Sequence, residues 1–195
     1  VGFAEDYRAG LWDTCNLQNL IALGLQNDRV IGRYVFGSRL HQSLSRLTYL
    51  LRLNTLGGSR RNIHVHYDLG NDFYSLWLDP TMTYSAALYK DDRDSLEQAQ
   101  INKYDRIIDH IGNSSRVLEI GCGWGGFAVR AGQRGDFTVK GITLSEEQHA
   151  FAAHRLDGDA HIALEDYRHQ QGQYNAIVSI EMFEAVGERY WPVYF

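Results

Sequence analysis

Cysteine is scarce: Cys15 and Cys122 are the only two in 195 residues. Two thiols cannot staple a disulfide scaffold or close a cysteine zinc cage, and they fit a reducing, cytoplasmic setting. Proline occurs twice and the 19 glycines follow no three-residue period, which excludes a collagen-like chain. No apolar run approaches the roughly 18 residues of a membrane-spanning helix. Val1 to Trp12 carry charges without a long apolar core, so no signal peptide is expected. Neither G-x-S-x-G nor H-E-x-x-H occurs, so those hydrolase and metalloprotease signatures are missing. His64 and His66 could share one strand face, but no third ligand accompanies them, and no metal site is expected.

Apolar residues make up 44% of the chain and charged residues 22%, the mix of a globular chain with a core. The net charge is −5, and it is unevenly spread. Arg29, Arg33, Arg39, Arg46, Arg52, Arg60 and Arg61 form a block without Asp, Glu or Lys, and the remaining residues balance at −12. A basic block in an acidic chain points to contact with a polyanion. The acidic total and the lack of a known nucleic-acid module argue against nucleic acid as that partner.

Three regions follow from patterning. Residues 1–57 read as helical, with Phe36, Leu40, Leu44, Leu47 and Leu51 on one helix face and Gly57-Gly58-Ser59 as a joint. Residues 58–113 read as an aromatic-rich region of short helices and loops around Tyr67, Phe73, Tyr74, Trp77, Tyr84 and Tyr89. That region closes with a helix capped by Ser95 and Gln98, buried through Tyr104, Ile107, Ile108 and Ile111, and ended by Gly112. Residues 114–195 alternate strand and helix. Strands are expected at Arg116–Ile120, Phe137–Ile142, His161–Leu164 and Asn175–Ile180, and helices near Gly126, after Ser145 and near Phe183. This is the βαβ order of a parallel, helix-covered sheet. Four strands would leave an open edge, so the sequence is expected to be a piece of a longer protein.

Gly121, Gly123 and Gly126 join the first strand to a helix and satisfy G-x-G-x-x-G. Glu119 before that loop would repel a pyrophosphate and attract an amino-acid ammonium. Gly141-Ile142-Thr143-Leu144-Ser145, around the end of the second strand, carries no acid to bind a dinucleotide ribose, and Thr143 sits near that place. Both features favour S-adenosylmethionine over a nicotinamide cofactor. Gln148 is read either as a ribose ligand or as the capping-box partner of Ser145.

Five segments then stand in order: His66-Tyr67-Asp68-Leu69-Gly70-Asn71-Asp72-Phe73-Tyr74, Met82-Thr83-Tyr84-Ser85, the glycine loop, Gly141-Ile142-Thr143-Leu144-Ser145 with Gln148, and Met182-Phe183-Glu184-Ala185-Val186-Gly187. Together they resemble the cyclopropane fatty acid synthase family, which includes the mycolic acid cyclopropane synthases and related fatty-acid methyltransferases. The resemblance covers about Gly57 to Phe195. It implies an α/β class I methyltransferase fold, Rossmann-like and truncated to its first half, with a helical N-terminal region. It implies S-adenosylmethionine as methyl donor and an unsaturated phospholipid acyl chain as substrate.

By position, the resemblance puts Tyr84 and Ser85 at the methionine end of the cofactor and Gly121 and Gly123 along its middle. Thr143, Leu144 and Gln148 fall on the ribose side, Asp166 and Tyr167 near adenine, and Ile180 beside the sulfonium. It implies a bicarbonate ion at the reacting centre, held in part by Glu184. Ala86 departs from the family pattern, which often has Cys there, although its backbone N–H could still bind the anion. The remaining bicarbonate ligands of the family fall beyond Phe195, so the sequence is expected to be catalytically incomplete.

An isolated alkene is a weak nucleophile, so the reaction needs positioning and a strong electrophile. Methyl transfer leaves a carbocation, and the aromatic faces from Tyr67 to Tyr89 suit that charge at roughly 0.5–2 kcal/mol each. Loss of a proton from the added methyl closes a cyclopropane ring onto the cation; a methylene-branched chain is the alternative product. A non-catalytic acyl- or membrane-binding homologue is the alternative from another class. The arginine block on an amphipathic helix is expected to meet an anionic membrane surface, with the protein cytoplasmic and peripheral at the inner face. A homodimer is left open.

Overall fold

The computed structural model describes residues 3–27, 70–113, 115–156 and 160–195. The arginine block, the Phe36 to Leu51 face, the Gly57 to Ser59 joint, His64, His66 and Tyr67 lie outside the described residues. The chain divides into two compact units, Val1–Leu53 and Asn54–Phe195.

In the first unit, α1 (Phe3–Arg8) and α2 (Leu17–Gln26) are short and bury no side chain. The Trp12 ring stacks on Phe3 at 4.2 Å, and its Nε1 donates to the Phe3 carbonyl at 3.0 Å. Asn16 caps α2 by accepting from the Asn19 amide at 2.9 Å, so the chain enters the helix with one orphan donor satisfied.

The second unit opens with α3 (Gly70–Ser75) and α4 (Leu96–Ile111). Ser95 accepts from the Gln98 amide, and Gly112 ends α4 at φ +58, as the capping signals predict. Then β1 (Arg116–Ile120), α5 (Gly126–Arg134), β2 (Thr138–Thr143), α6 (Glu146–Arg155), β3 (His161–Leu164) and β4 (Ala176–Ser179) follow. α7 (Phe183–Val186) and α8 (Trp191–Tyr194) close the chain. The four strands are all parallel, in the order β3-β2-β1-β4.

Alternate β1 residues serve opposite faces of this sheet. Val117 packs with Val139 and Val178 against Tyr104 and Ile108 of α4 and Phe127, Ala128 and Ala131 of α5. Leu118 and Ile120 pack with Ile142 and Ala163 in a second cluster. Asp105 fixes α4 against α5 through a two-pronged pair with Arg130, at 2.7 and 2.9 Å. That pairing sets the height of α4, which carries Gln100 and Lys103 toward the site described next.

Candidate active site

The chain leaves β1, moves outward to β2 and β3, and returns to place β4 on the far side of β1. Such a reversal opens a crevice at the carboxyl ends of β1 and β4. Gly121 turns there at φ +77, and an added Cβ would lie 3.0 Å from Met182 Cγ, just past β4. Only a glycine gives both that dihedral and that approach. The Gly121 and Cys122 amides both donate to the Ile142 carbonyl at 3.0 Å, which ties the turn to β2. Trp124 is buried within the loop and donates from Nε1 to Asn71 Oδ1 at 2.6 Å, which ties it to α3.

Glu119 sits one residue before the end of β1, paired with Gly141 on one side and Val178 on the other. It is 3% exposed, and its Oε2 has no hydrogen-bond partner among the described residues. Burial without a counter-charge pushes its carboxyl up to about 8. An orphaned buried carboxylate oxygen fits a cationic ligand group, and the amino-acid end of S-adenosylmethionine supplies one. By that test the residues present fit the cofactor.

A second wall is the segment from Asp79 to Ala86. Asp79 accepts from the amides of Thr81 at 2.9 Å and Thr83 at 3.2 Å, and the Thr83 hydroxyl shares a 2.8 Å hydrogen bond with the Tyr104 hydroxyl. Arg155 donates to the Thr81 carbonyl at 2.9 Å, so α6 holds the turn from behind. The segment then presents Tyr84, Ser85 and Ala86. Tyr84 is 56% exposed and meets the rings of Tyr74 and Trp77 at 5.7 and 5.4 Å. The Ser85 carbonyl accepts from Gln100 Nε2 at 2.8 Å, and its hydroxyl accepts from Lys103 Nζ. Partial burial lowers the Lys103 ammonium to about 8, against the opposing pull of Glu181 and Asp79. The Ala86 amide donates to Glu181 Oε1 at 2.8 Å.

Other expected site residues are spread along the strand ends. Thr143 and Gln148 are buried and bonded to each other, Thr143 Oγ1 donating to Gln148 Oε1 at 2.9 Å. The Gln148 amide caps onto Ser145 Oγ at 3.3 Å, while the Ser145 amide turns to Thr143 Oγ1 at 3.1 Å. The capping half of the Gln148 reading therefore forms without its reciprocal side-chain bond. Leu144 is half-buried beside them. Asp166 is buried, and both its oxygens are taken by the Arg168 guanidinium. Although burial pulls the other way, hydrogen bonds and charge from Arg168 hold the Asp166 carboxyl below its usual range. Tyr167 meets the ring of Tyr194 at 5.0 Å, and Ile180 packs against the core under α4 and α5. Glu184 is exposed in the first turn of α7.

Three residues at this crevice escaped the sequence reading: Gln100, Lys103 and Glu181. Gln100 and Lys103 belong to the core-facing side of α4 together with Ala99 and Tyr104, where an amide and an ammonium are unusual. Glu181 closely follows β4, where open α/β sheets carry their ligand chemistry. Among the described residues no group of three metal-ligating side chains forms, and no helix is long and apolar enough to cross a membrane.

Residues 56–195 match the family described as mycolic acid cyclopropane synthetase. The chain belongs to that family. It is 40% identical to tuberculostearic acid methyltransferase UfaA1 of Mycobacterium tuberculosis, a match covering 100% of this chain and 48% of that protein. It is 37% identical to the cyclopropane-fatty-acyl-phospholipid synthase of Escherichia coli, covering 100% of this chain and 51% of that protein. Among solved structures, it resembles mycolic acid cyclopropane synthase CmaA1 complexed with SAH and CTAB, with a TM-score of 0.66 and 33% identity over 69% of this chain and 50% of that one. The cyclopropane synthase MmaA2 from Mycobacterium tuberculosis gives a TM-score of 0.64 and 36% identity over 67% of this chain and 48% of that one. The synthetase-family chain thus spans about half the length of the curated relatives it matches. Its sheet is the first half of a class I methyltransferase sheet.

Proposed function

We propose that this chain is the cofactor-binding part of an S-adenosylmethionine-dependent methyltransferase acting on the double bond of an unsaturated phospholipid acyl chain. The observation that carries the reading is the buried, unpaired Glu119 carboxylate oxygen beneath the Gly121 turn. The SAH bound in the CmaA1 complex, and the lipid-methylating names of the relatives, support the same cofactor and substrate class.

When bound, the cofactor supplies an electrophilic methyl group. Glu119 draws its ammonium inward, and the Gly121 and Gly123 backbone lets the ligand lie close to the loop. Gln100 and Lys103 hold Ser85 at the crevice from α4. The rings of Tyr74, Trp77 and Tyr84 give a polarizable wall suited to a carbocation. Thr143, Leu144, Gln148, Asp166 and Tyr167 form the nucleoside side of this reading, with Asp166 acting through Arg168, and Ile180 stays on the sulfonium side.

Bicarbonate fits this crevice poorly at Ala86, whose amide is already occupied by a carboxylate that would repel a second anion. No step is therefore routed through it, nor through Glu184, the carboxylate expected to help hold it, which is exposed in the first turn of α7. The membrane reading rests on Arg29 to Arg61: an anionic inner-face surface attracts each arginine by about 1 kcal/mol. Vesicle flotation should show binding that needs anionic lipid; equal binding to neutral vesicles would remove the electrostatic part.

The test of the function is transfer of labelled methyl from S-adenosylmethionine by the full-length protein into phospholipid vesicles. Label should enter mono-unsaturated and not saturated acyl chains, and fragmentation would separate a ring from a methylene branch. Label in neither would overturn the reading.

A further inference from the structure

We infer that Glu181 is a resident carboxylate base, occupying with its own side chain the place where a free anion would otherwise meet the Ala86 amide. The inference rests on the methyltransferase reading above. Three observations carry it. Glu181 Oε1 accepts from the Ala86 amide at 2.8 Å across 95 residues of sequence. That contact joins the carboxyl end of β4 to the Tyr84 to Ala86 wall, so the carboxylate bridges the mouth of the switch-point crevice. Glu181 also has φ +49, one of two non-glycine residues with positive φ among those described. A left-handed glutamate is strained and persists where surrounding contacts over-determine it, most often at functional sites.

The surroundings suit the role. Glu181 is exposed at the crevice, so a carboxylate there meets an incoming chain without complete desolvation. Lys103, across Ser85, places an ammonium on the same side of the crevice. The contacts that hold Ser85 and Ala86 come from Gln100, Lys103 and Glu181, whereas Glu184 stands three residues on, in the first turn of α7.

In the step assigned to Glu181, the alkene electron pair forms the bond to the methyl carbon, and the carbon–sulfur pair stays on sulfur. The neighbouring chain carbon is left cationic. Glu181 takes a proton from the added methyl or from a chain carbon beside the cation, and the released carbon–hydrogen pair closes a ring or a carbon–carbon double bond respectively. The carboxylate becomes a carboxylic acid, and the charges balance.

The test uses the full-length protein with wild type, Glu181→Gly and Glu181→Gln, each assayed by labelled methyl transfer with and without sodium bicarbonate or sodium formate at tens of millimolar. Glycine accepts the positive φ, so Glu181→Gly should melt no lower than wild type. Wild-type turnover should be indifferent to added bicarbonate. Glu181→Gly should lose about 100-fold or more, the usual contribution of a positioned base, and regain at least about tenfold with formate or bicarbonate. Glu181→Gln, which fills the space without a base, should be as impaired and should not be rescued. Affinity for S-adenosylhomocysteine, read by calorimetry, should be unchanged in both. A bicarbonate requirement in wild type, full activity in Glu181→Gln, or parallel loss of S-adenosylhomocysteine affinity would each overturn the inference while leaving the methyltransferase reading intact. Failure of wild type itself to transfer methyl would remove both.

Discussion

Two carboxylates at the ends of neighbouring strands live in opposite surroundings. Glu119 on β1 is buried, has one oxygen unpaired, and is pushed toward its neutral form. Glu181 just beyond β4 is exposed, bonded to a backbone amide and accompanied by the Lys103 charge. β1 and β4 pair directly, with Glu119 opposite Val178, so a short crevice separates two acids of different character. One sheet end can thereby do two jobs. A desolvated acid waits for a cation to restore its charge, whereas an exposed acid held by a backbone amide faces the incoming chain.

The strongest way to break the contrast is to fill the turn above Glu119. Gly121→Val brings a β-branched residue to φ +77 and a Cβ within 3.0 Å of Met182 Cγ. Cofactor binding should fall below detection by calorimetry, while the Glu181 to Ala86 contact should persist in the variant's structure. A smaller effect is expected from Glu119→Gln, which keeps shape and removes charge. Losing a charged hydrogen bond of about 1.5–3 kcal/mol should weaken S-adenosylhomocysteine binding by roughly 10- to 100-fold.

The raised Glu119 carboxyl also predicts a pH signature. A carboxyl that titrates higher in the fold than in the unfolded chain binds its proton more tightly when folded. Its stabilising contribution is therefore full in acid and is lost as pH rises toward about 8. A bound ammonium reverses the preference, so binding near neutral pH should release close to one proton. Calorimetry in two buffers of different ionisation heat reads that proton, and Glu119→Gln should abolish it. The smallest effect is Tyr104→Phe, which removes the 2.8 Å hydrogen bond to Thr83. It should lower stability by about 1 kcal/mol in denaturant unfolding, with cofactor affinity unchanged.

Local chemistry explains what the sequence discloses. The bounds of β1 and β3 follow from short apolar runs between turn signals, and Ser95, Gly112 and Ser145 act as the caps their residue types favour. β2 begins at Thr138 rather than Phe137, because Thr138 is the residue that registers with Arg116 at the start of β1. β4 keeps only Ala176–Ser179 of the expected run, since pairing with β1 ends at Ser179 and Glu181 already has positive φ. Glu119 was legible because its neighbours are the glycine loop. Glu181 was not, because its partner Ala86 is brought to it only by the fold. The reciprocal cap expected of Gln148 fails for a similar reason: Thr143, at the end of β2, competes for both the Ser145 amide and the Gln148 side chain. Asp166 lies between these cases, since Arg168 is two residues away and its guanidinium could have been paired with Asp166 from sequence alone.

The most direct measurement is a crystal structure of the full-length protein with S-adenosylhomocysteine bound. The ligand's amino group should lie within hydrogen-bond distance of the Glu119 carboxylate, beneath the Gly121 turn. A ligand seated elsewhere, or a Glu119 oxygen still without a partner, would contradict the assignment of this crevice to the cofactor.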